Sequence, residues 1–234
     1  RVQLDPDTIL SPGSSEAALR ASGAAIDAVD RVIAGKASNA FCAVRPPGHH
    51  AESSQAMGFC LFNSAAIAAV HSRVAHGLAR AAVVDFDVHH GNGTQHSFEQ
   101  DAGLFYASSH QSPAYPGTGL ASETGIDDNI VNAPLSPGAG SAEFRNAYQR
   151  IILPALRAFQ PEIVIISAGF DAHTRDPLAQ LNVETDDFAW VTEELLQVAT
   201  ECCDGRAVAL LEGGYDLDAL RESVQEHLKV MMAA

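Results

Sequence analysis

Apolar and polar positions along this chain follow two periods. From Ser14 or Ser15, which can cap a helix, Ala17, Ala18, Ala24, Ala25, Ile26, Val29 and Ile33 recur at helical spacing until Gly35. Helical patterns also cover about Asn63 to His76, Thr185 to Cys203 and Asp218 to Met232, the first stopping at Gly77. Ser141 to Phe159 reads as one helix with a kink at Pro154. Between these lie short apolar runs of strand length: Ala40–Val44, Ala81–Phe86, Leu104–Ser108, Ile130–Asn132, Ile163–Ile166 and Ala207–Leu211. The unbroken β-branched run at Ile163 suits a strand covered on both faces. Strands alternating with helices predict an α/β fold with a mainly parallel sheet. The stretch Ser109–Asn129, rich in proline and glycine, is expected to be a long loop.

Polar clusters sit where these strands end. Arg45-Pro-Pro-Gly-His-His50 follows one strand, and Asp85-Phe-Asp-Val-His89 ends another. Ser108-Ser-His110 ends a third, Ser167-Ala-Gly-Phe-Asp171 follows a fourth, and Glu212-Gly-Gly-Tyr215 follows the last. Open parallel sheets bind ligands at the carboxyl ends of their strands. Five clusters at corresponding ends therefore predict one shared site.

Composition narrows the partners. The 234 residues are 47% hydrophobic, enough for one sizeable core and one domain. The net charge of −15, with only Lys36 and Lys229 as lysines, leaves no basic stripe to displace counterions, so direct nucleic-acid binding is not expected. No run reaches membrane-spanning length and no signal peptide is visible, so no membrane association is expected. Cys42, Cys60, Cys202 and Cys203 form no C-x-x-C pair, which fits reduced thiols and a cytoplasmic location. The composition leaves a homo-oligomer open.

Chemistry concentrates in Asp85-Phe-Asp-Val-His89. In an extended backbone residues two apart share a side, so two carboxylates and an imidazole converge. Such a group is costly to desolvate without a cation among it. Asp87, His89 and Asp171 would supply three ligands to a divalent metal and leave room for water and substrate. Alone, a D-x-D-x-H run could equally cap a helix. His49 and His50, on a stiff Pro-Pro-Gly approach, could exchange protons with a water and a leaving amine. Tyr215 could donate to a developing oxyanion, or pack in the core after a tight turn. Phe59 and Tyr115 could wall an apolar channel or simply pack. His71, His76, His90, His96, His173 and His227 are expected to be structural or surface residues.

Together, Arg45-Pro-Pro-Gly-His-His-Ala51, Gly58-Phe-Cys60, Asp85-Phe-Asp-Val-His-His-Gly-Asn-Gly93, Pro116-Gly-Thr-Gly119, Ser167-Ala-Gly-Phe-Asp171 and Glu212-Gly-Gly-Tyr215 resemble the histone deacetylase superfamily, from about Leu10 to Lys229. That group includes bacterial deacetylase-like amidohydrolases and acetylpolyamine amidohydrolases. The resemblance implies a three-layer arginase-deacetylase α/β fold, with helices on both faces of the sheet, and zinc-dependent hydrolysis of acyl amides on lysine side chains, polyamines or similar primary amines. It implies one Zn2+ on Asp87, His89 and Asp171. His50 is then the general base and acid, and His49 its electrostatic partner. Asp85 orients His49, Asn92 faces His50, and Tyr215 is the catalytic tyrosine. Gly58, Phe59, Tyr115 and Leu178 match the acyl-lysine channel, with tyrosine at 115 in place of the commoner phenylalanine. A structural K+ would lie against Asp85, Asp87, His89, Ser108 and Ser109, and a second monovalent ion around Phe98, Asp101, Leu104 and Asn129. The family's leading strand and first loops, including the acidic residue that grips substrate backbone, find no counterpart in the sequence, so none of its acids is given that role.

Two rival readings remain at this stage. A binuclear manganese ureohydrolase would need further metal carboxylates, and Asp171-Ala-His173 is instead followed by Thr174 and Arg175. A non-catalytic binder of acyl-lysine or acyl-polyamine would not need His49, His50 and Tyr215 together.

Overall fold

The structure, a computed structural model, describes residues 1–234. Six strands form one parallel sheet: β3 (Asn39–Cys42), β4 (Ala81–Asp85), β5 (Leu104–Gln111), β6 (Ile130–Leu135), β7 (Val164–Ala168) and β8 (Ala207–Leu211). Their order across the sheet is β3-β8-β7-β4-β5-β6. The chain builds outward from β4 to β5 and β6, then returns to lay β7 on the other side of β4. The strand order reverses beside β4, which is where parallel sheets open a crevice at their carboxyl edge.

Alternation along the strands divides the core in two. Ala81, Val83, Leu104, Tyr106, Ile165, Val208 and Leu210 face α1 (Ser14–Ile33) and α2 (Ser64–His76). Ala82, Val84, Phe105, Ala107, Val164, Ile166, Ala207 and Ala209 face α4 (Ser141–Ala147), α5 (Leu153–Phe159), α6 (Thr185–Cys203) and α7 (Leu217–Ala233). The predicted three layers are therefore present. Because both faces are covered, the central strands β4, β7 and β8 are apolar until their carboxyl ends, where the polar clusters begin.

Several elements differ from expectation. The segment Ser141–Phe159 is not one helix kinked at Pro154: a π-type turn, Tyr148–Ile152, divides it. Proline has no N–H to continue the ladder, and just before it the ladder widens, with the Leu153 N–H donating to the Tyr148 carbonyl five residues back. β5 runs on to Gln111 and β6 to Leu135, which shortens the predicted loop. Pro134 fits because β6 is an edge strand. A short α3 (Asn92–Phe98) follows the β4 tip. An antiparallel hairpin of β1 (Val2–Asp5) and β2 (Thr8–Leu10) precedes α1 and carries Asp7 at its turn.

Candidate active site

The tips of β3, β4, β7 and β8 and the loop after β5 converge on one cavity of about 230 Å³. It is lined by Asp7, Pro47, His49, His50, Gly58, Phe59, His89, Tyr115, Leu178, Gly213 and Tyr215. All four residues expected to form the acyl channel are among them. Phe59, Tyr115 and Leu178 are partly exposed at its rim.

At the floor, Asp87 and His89 come from the turn that follows β4 and Asp171 from the loop after β7. His89 Nδ1 lies 3.2 Å from Asp87 Oδ1 and 3.1 Å from Asp171 Oδ2. Such spacings match the separation of neighbouring ligands around a small tetrahedral ion. Asp171 Oδ2 is buried and accepts no hydrogen bond, an orphan that a cation would satisfy. Glycines make room for this floor. A Cβ on Gly169 would sit 2.1 Å from Asp87 Oδ2, and one on Gly213 would sit 2.4 Å from Asp171 Oδ2. The donor set therefore fits a divalent metal of zinc type. Burial, reinforced by the neighbouring charge of Asp87, pushes the Asp171 carboxyl up to about 7, and a cation would reverse that.

Beside the floor stand the two histidines, with ring centroids 4.0 Å apart. His49 Nδ1–H donates to Asp85 Oδ2 at 2.9 Å. Burial opposes charge on His49, but Asp85 and Asp87 overcome it and push its pKa up to about 10. His50 behaves oppositely. Burial and the adjacent charge of His49 hold it well below its ordinary value. Asn92 Oδ1 lies 2.8 Å from His50 Nδ1, and the Asn92 amide is fixed by donating to Glu52 Oε1 at 2.8 Å. Asn92 thus accepts from Nδ1–H, which leaves the lone pair of neutral His50 on Nε2. One imidazolium and one neutral base, side by side, are what opposite environments make of two identical side chains.

Three further acids organise the site although the sequence assigns none of them a role. Glu212, buried, accepts the backbone N–H groups of Gly48 (2.6 Å) and His49 (3.2 Å) on one oxygen and the Ser167 hydroxyl on the other. It clasps the histidine loop to the sheet. Asp176 accepts from Tyr215 N–H at 2.7 Å and from Leu178 N–H at 3.0 Å, tying the tyrosine to the rim. Its signal is weak in sequence, a lone Asp before Pro177. Asp7 accepts from Gly58 N–H at 3.2 Å and reaches the cavity from the amino-terminal hairpin. The family resemblance left the substrate-gripping role without a residue, and Asp7 is an acid at the cavity edge.

The Tyr215 phenol lines the cavity with its ring centroid 6.0 Å from that of Phe59. Burial, then the charges of Asp87 and Asp171, raise its pKa far above the ordinary value, so it stays protonated and able to donate.

The expected monovalent sites fare differently. Asp85 and Ser108 face each other in register across β4 and β5. The Ser109 hydroxyl pairs with Tyr148 and the Ser108 hydroxyl with His110. Around the second position, Asn129 Nδ2 donates to the carbonyls of Phe98 (2.8 Å), Asp101 (3.1 Å) and Leu104 (2.7 Å). These acceptors, expected to surround a cation, converge on a side-chain amide. Of the histidines set aside, His90, His173 and His227 are buried in hydrogen bonds and packing and His96 is exposed, whereas His71 and His76 meet Asp30.

Comparison with known proteins accords with this geometry. Residues 1–231 match the family model for the histone deacetylase domain, and the chain belongs to that family. It is 42% identical over 222 residues to histone deacetylase 14, chloroplastic, of Arabidopsis thaliana, covering 92% of this chain and 52% of that protein. It is 42% identical over 216 residues to the histone deacetylase-like amidohydrolase of Pseudomonas aeruginosa, covering 91% and 57%. The crystal structure of the HDA15 HD domain superposes with a TM-score of 0.94 at 40% identity, covering 99% of this chain and 66% of that one. The chain thus spans roughly half to two-thirds of these relatives' length. Its architecture is the arginase-deacetylase type that the motifs implied.

Proposed function

We propose that this chain is a zinc-dependent amidohydrolase that removes acetyl or other acyl groups from a primary amine such as a lysine side chain or a polyamine. The observation that carries the reading is the pairing of an orphaned, three-ligand floor with two adjacent histidines, one bonded to the Asp85 carboxylate and the other to the Asn92 amide. Asp87, His89 and Asp171 would hold the metal, which when bound supplies Lewis-acid polarisation of the amide carbonyl and acidifies a water. His50, neutral at Nε2, takes the proton from the attacking water and later gives it to the departing amine. His49, held as imidazolium by Asp85, supplies positive charge beside the developing oxyanion. Tyr215 donates its phenol proton as a hydrogen bond to the same oxygen. Phe59, Tyr115 and Leu178 wall the apolar chain of the substrate, and Asp7 at the rim is placed to accept a substrate N–H or meet a cationic amine. A structural K+ beside Asp85 and a cytoplasmic setting belong to the same proposal. A binuclear reading finds no support, since Asp85 and Glu212, the nearest further carboxylates, are engaged by His49 and by the Gly48–His49 backbone.

The test is a turnover screen of acetyl-lysine peptides, acetylpolyamines and longer acyl-lysines on protein reconstituted with zinc. At least one class is expected to turn over. Tyr215→Phe should lower kcat by about 10²–10³-fold, the usual loss for one oxyanion donor, while a chelator abolishes activity. Turnover indifferent to the chelator would sink the proposal.

A further inference from the structure

α1 and α2 lie side by side and run parallel. The Ser22 and Ser64 hydroxyls meet at 3.1 Å near the middle of α1 and the start of α2. Further along the same direction, Asp30 of α1 meets His71 and His76 of α2. Asp30 lies in the last turn of α1, and His76 is the final residue of α2. Both negative helix ends therefore gather at one place. A carboxylate in the last turn of a helix opposes the dipole, so Asp30 needs positive charge beside it. β4 begins only a few residues after His76, which puts the cluster at the amino edge of the sheet, opposite the cavity.

Asp30 Oδ1 lies 2.7 Å from His71 Nε2 and 2.7 Å from His76 Nε2. One ligand atom from each of the three residues falls within 4.8 Å of the other two. The rings are about a quarter exposed, leaving an open side for water. At these distances the Nε2–H of each ring donates to Asp30 Oδ1. Neither Nδ1 has a protein partner, so the proton can move there and free Nε2 as a lone pair when a cation replaces the two hydrogen bonds. The cations closest in sequence do not compete. Arg31 is occupied by Asp27 and Arg73 by Asp101.

We infer that Asp30, His71 and His76 form a second divalent-metal site, separate from the cavity, that takes a borderline ion such as zinc or cobalt and staples α1 to α2. Two imidazoles and a carboxylate are the donor set such ions prefer, with water completing the shell. The charge of −15 favours cation capture in general, but only this cluster supplies imidazoles at coordinating distance outside the cavity and the buried groups behind it.

The experiment is equilibrium dialysis of the whole chain against zinc, followed by metal counting. Wild type is expected to retain two ions per chain. His71→Ala/His76→Ala should retain one with amide turnover unchanged, and so should Asp30→Asn, which keeps the side chain's size. Asp171→Asn should also retain one, and in that protein zinc at a hundredfold excess over its Kd should raise the Tm by about 5–10 °C. A double histidine variant that keeps the wild-type count, or a wild type that binds a single ion lost in Asp171→Asn, overturns the second site. A count unaffected by Asp171→Asn would instead overturn the cavity metal and leave the helix site standing.

Discussion

An added methyl group at Gly58 would reach straight into the chemistry. Its φ is +55°, and a Cβ built there would stand 2.3 Å from Cδ2 of His50. Substitution thus meets two costs. The left-handed backbone alone disfavours an L side chain by about 1–2 kcal/mol, and the ring of the proposed base must move. Gly58→Ala is expected to fold with reduced stability and lose about 100-fold in kcat, since a misplacement near 1 Å can cost that much. Steady-state kinetics beside thermal melts would check it. Wild-type kcat in the variant would mean that His50 is not held where the mechanism needs it. Legibility at this scale divides sharply. Side chains that bring their own chemistry, such as His49, His50, Asp87, His89, Asp171 and Tyr215, could be read from type and order. Those that act through a hydrogen bond to someone else's backbone could not. Asp7 and Asp176 carry no spacing that distinguishes them from ordinary surface acids, and Glu212, although it opens the Glu212-Gly-Gly-Tyr215 cluster, gives no sign there of the backbone it clasps.

Elements decide how far such residues are held in place. The rim is built from loops, and loops hold shape only through bonds like those of Asp176. That carboxylate, buried, joins the turn after β8 to the loop after β7 by accepting from Tyr215, Asp216 and Leu178. Asp176→Ala leaves three N–H groups without their acceptor, about 1–3 kcal/mol for each that stays dry. The expected result is a fall in kcat and a rise in KM together, because the phenol and the channel wall both loosen. Asp176→Asn, which keeps one carbonyl acceptor, should recover part of kcat. An alanine variant with unaltered constants would show that the two loops are held by packing alone. The strands themselves were legible because both faces are buried, so apolar runs mark them directly. The hairpin was not, since β1 has no buried residue and β2 only Thr8. The π turn was not either, because proline announces a broken ladder without saying whether the helix will kink or widen.

Across the whole molecule, acid should act through buried histidines that have no part in the proposed mechanism. Burial holds His90 down to about 3, and His110 and His227 to about 4. Hydrogen bonds agree with neutral rings. His110 donates from Nε2 to the Gly119 carbonyl, and the Ser108 hydroxyl can donate to its Nδ1. Thr192 spends its proton on the Phe188 carbonyl, so His227 must donate from Nδ1, and its Nε2 is left bare among Phe41, Phe86 and Phe170. The unfolded chain takes up these protons near pH 6.5 and the fold does not. The stability they contribute is therefore present above pH 6.5 and lost as pH falls, towards 4 for His110 and His227, on the order of 3 kcal/mol each when complete, and on towards 3 for His90, on the order of 5 kcal/mol. His227 separates this effect from protonation of the metal ligands. It sits on α7, beneath the phenylalanines that precede Asp87 and Asp171. His227→Asn keeps a donor towards Thr192 but does not titrate. It should be less stable than wild type at pH 7.5, through lost packing. Denaturant melts at pH 5 should then show that deficit narrowed by about 2 kcal/mol, as wild type alone bears the proton's cost. A deficit equal at both pH values would mean that His227 is already charged in the fold, with a partner that the aromatic cage does not provide.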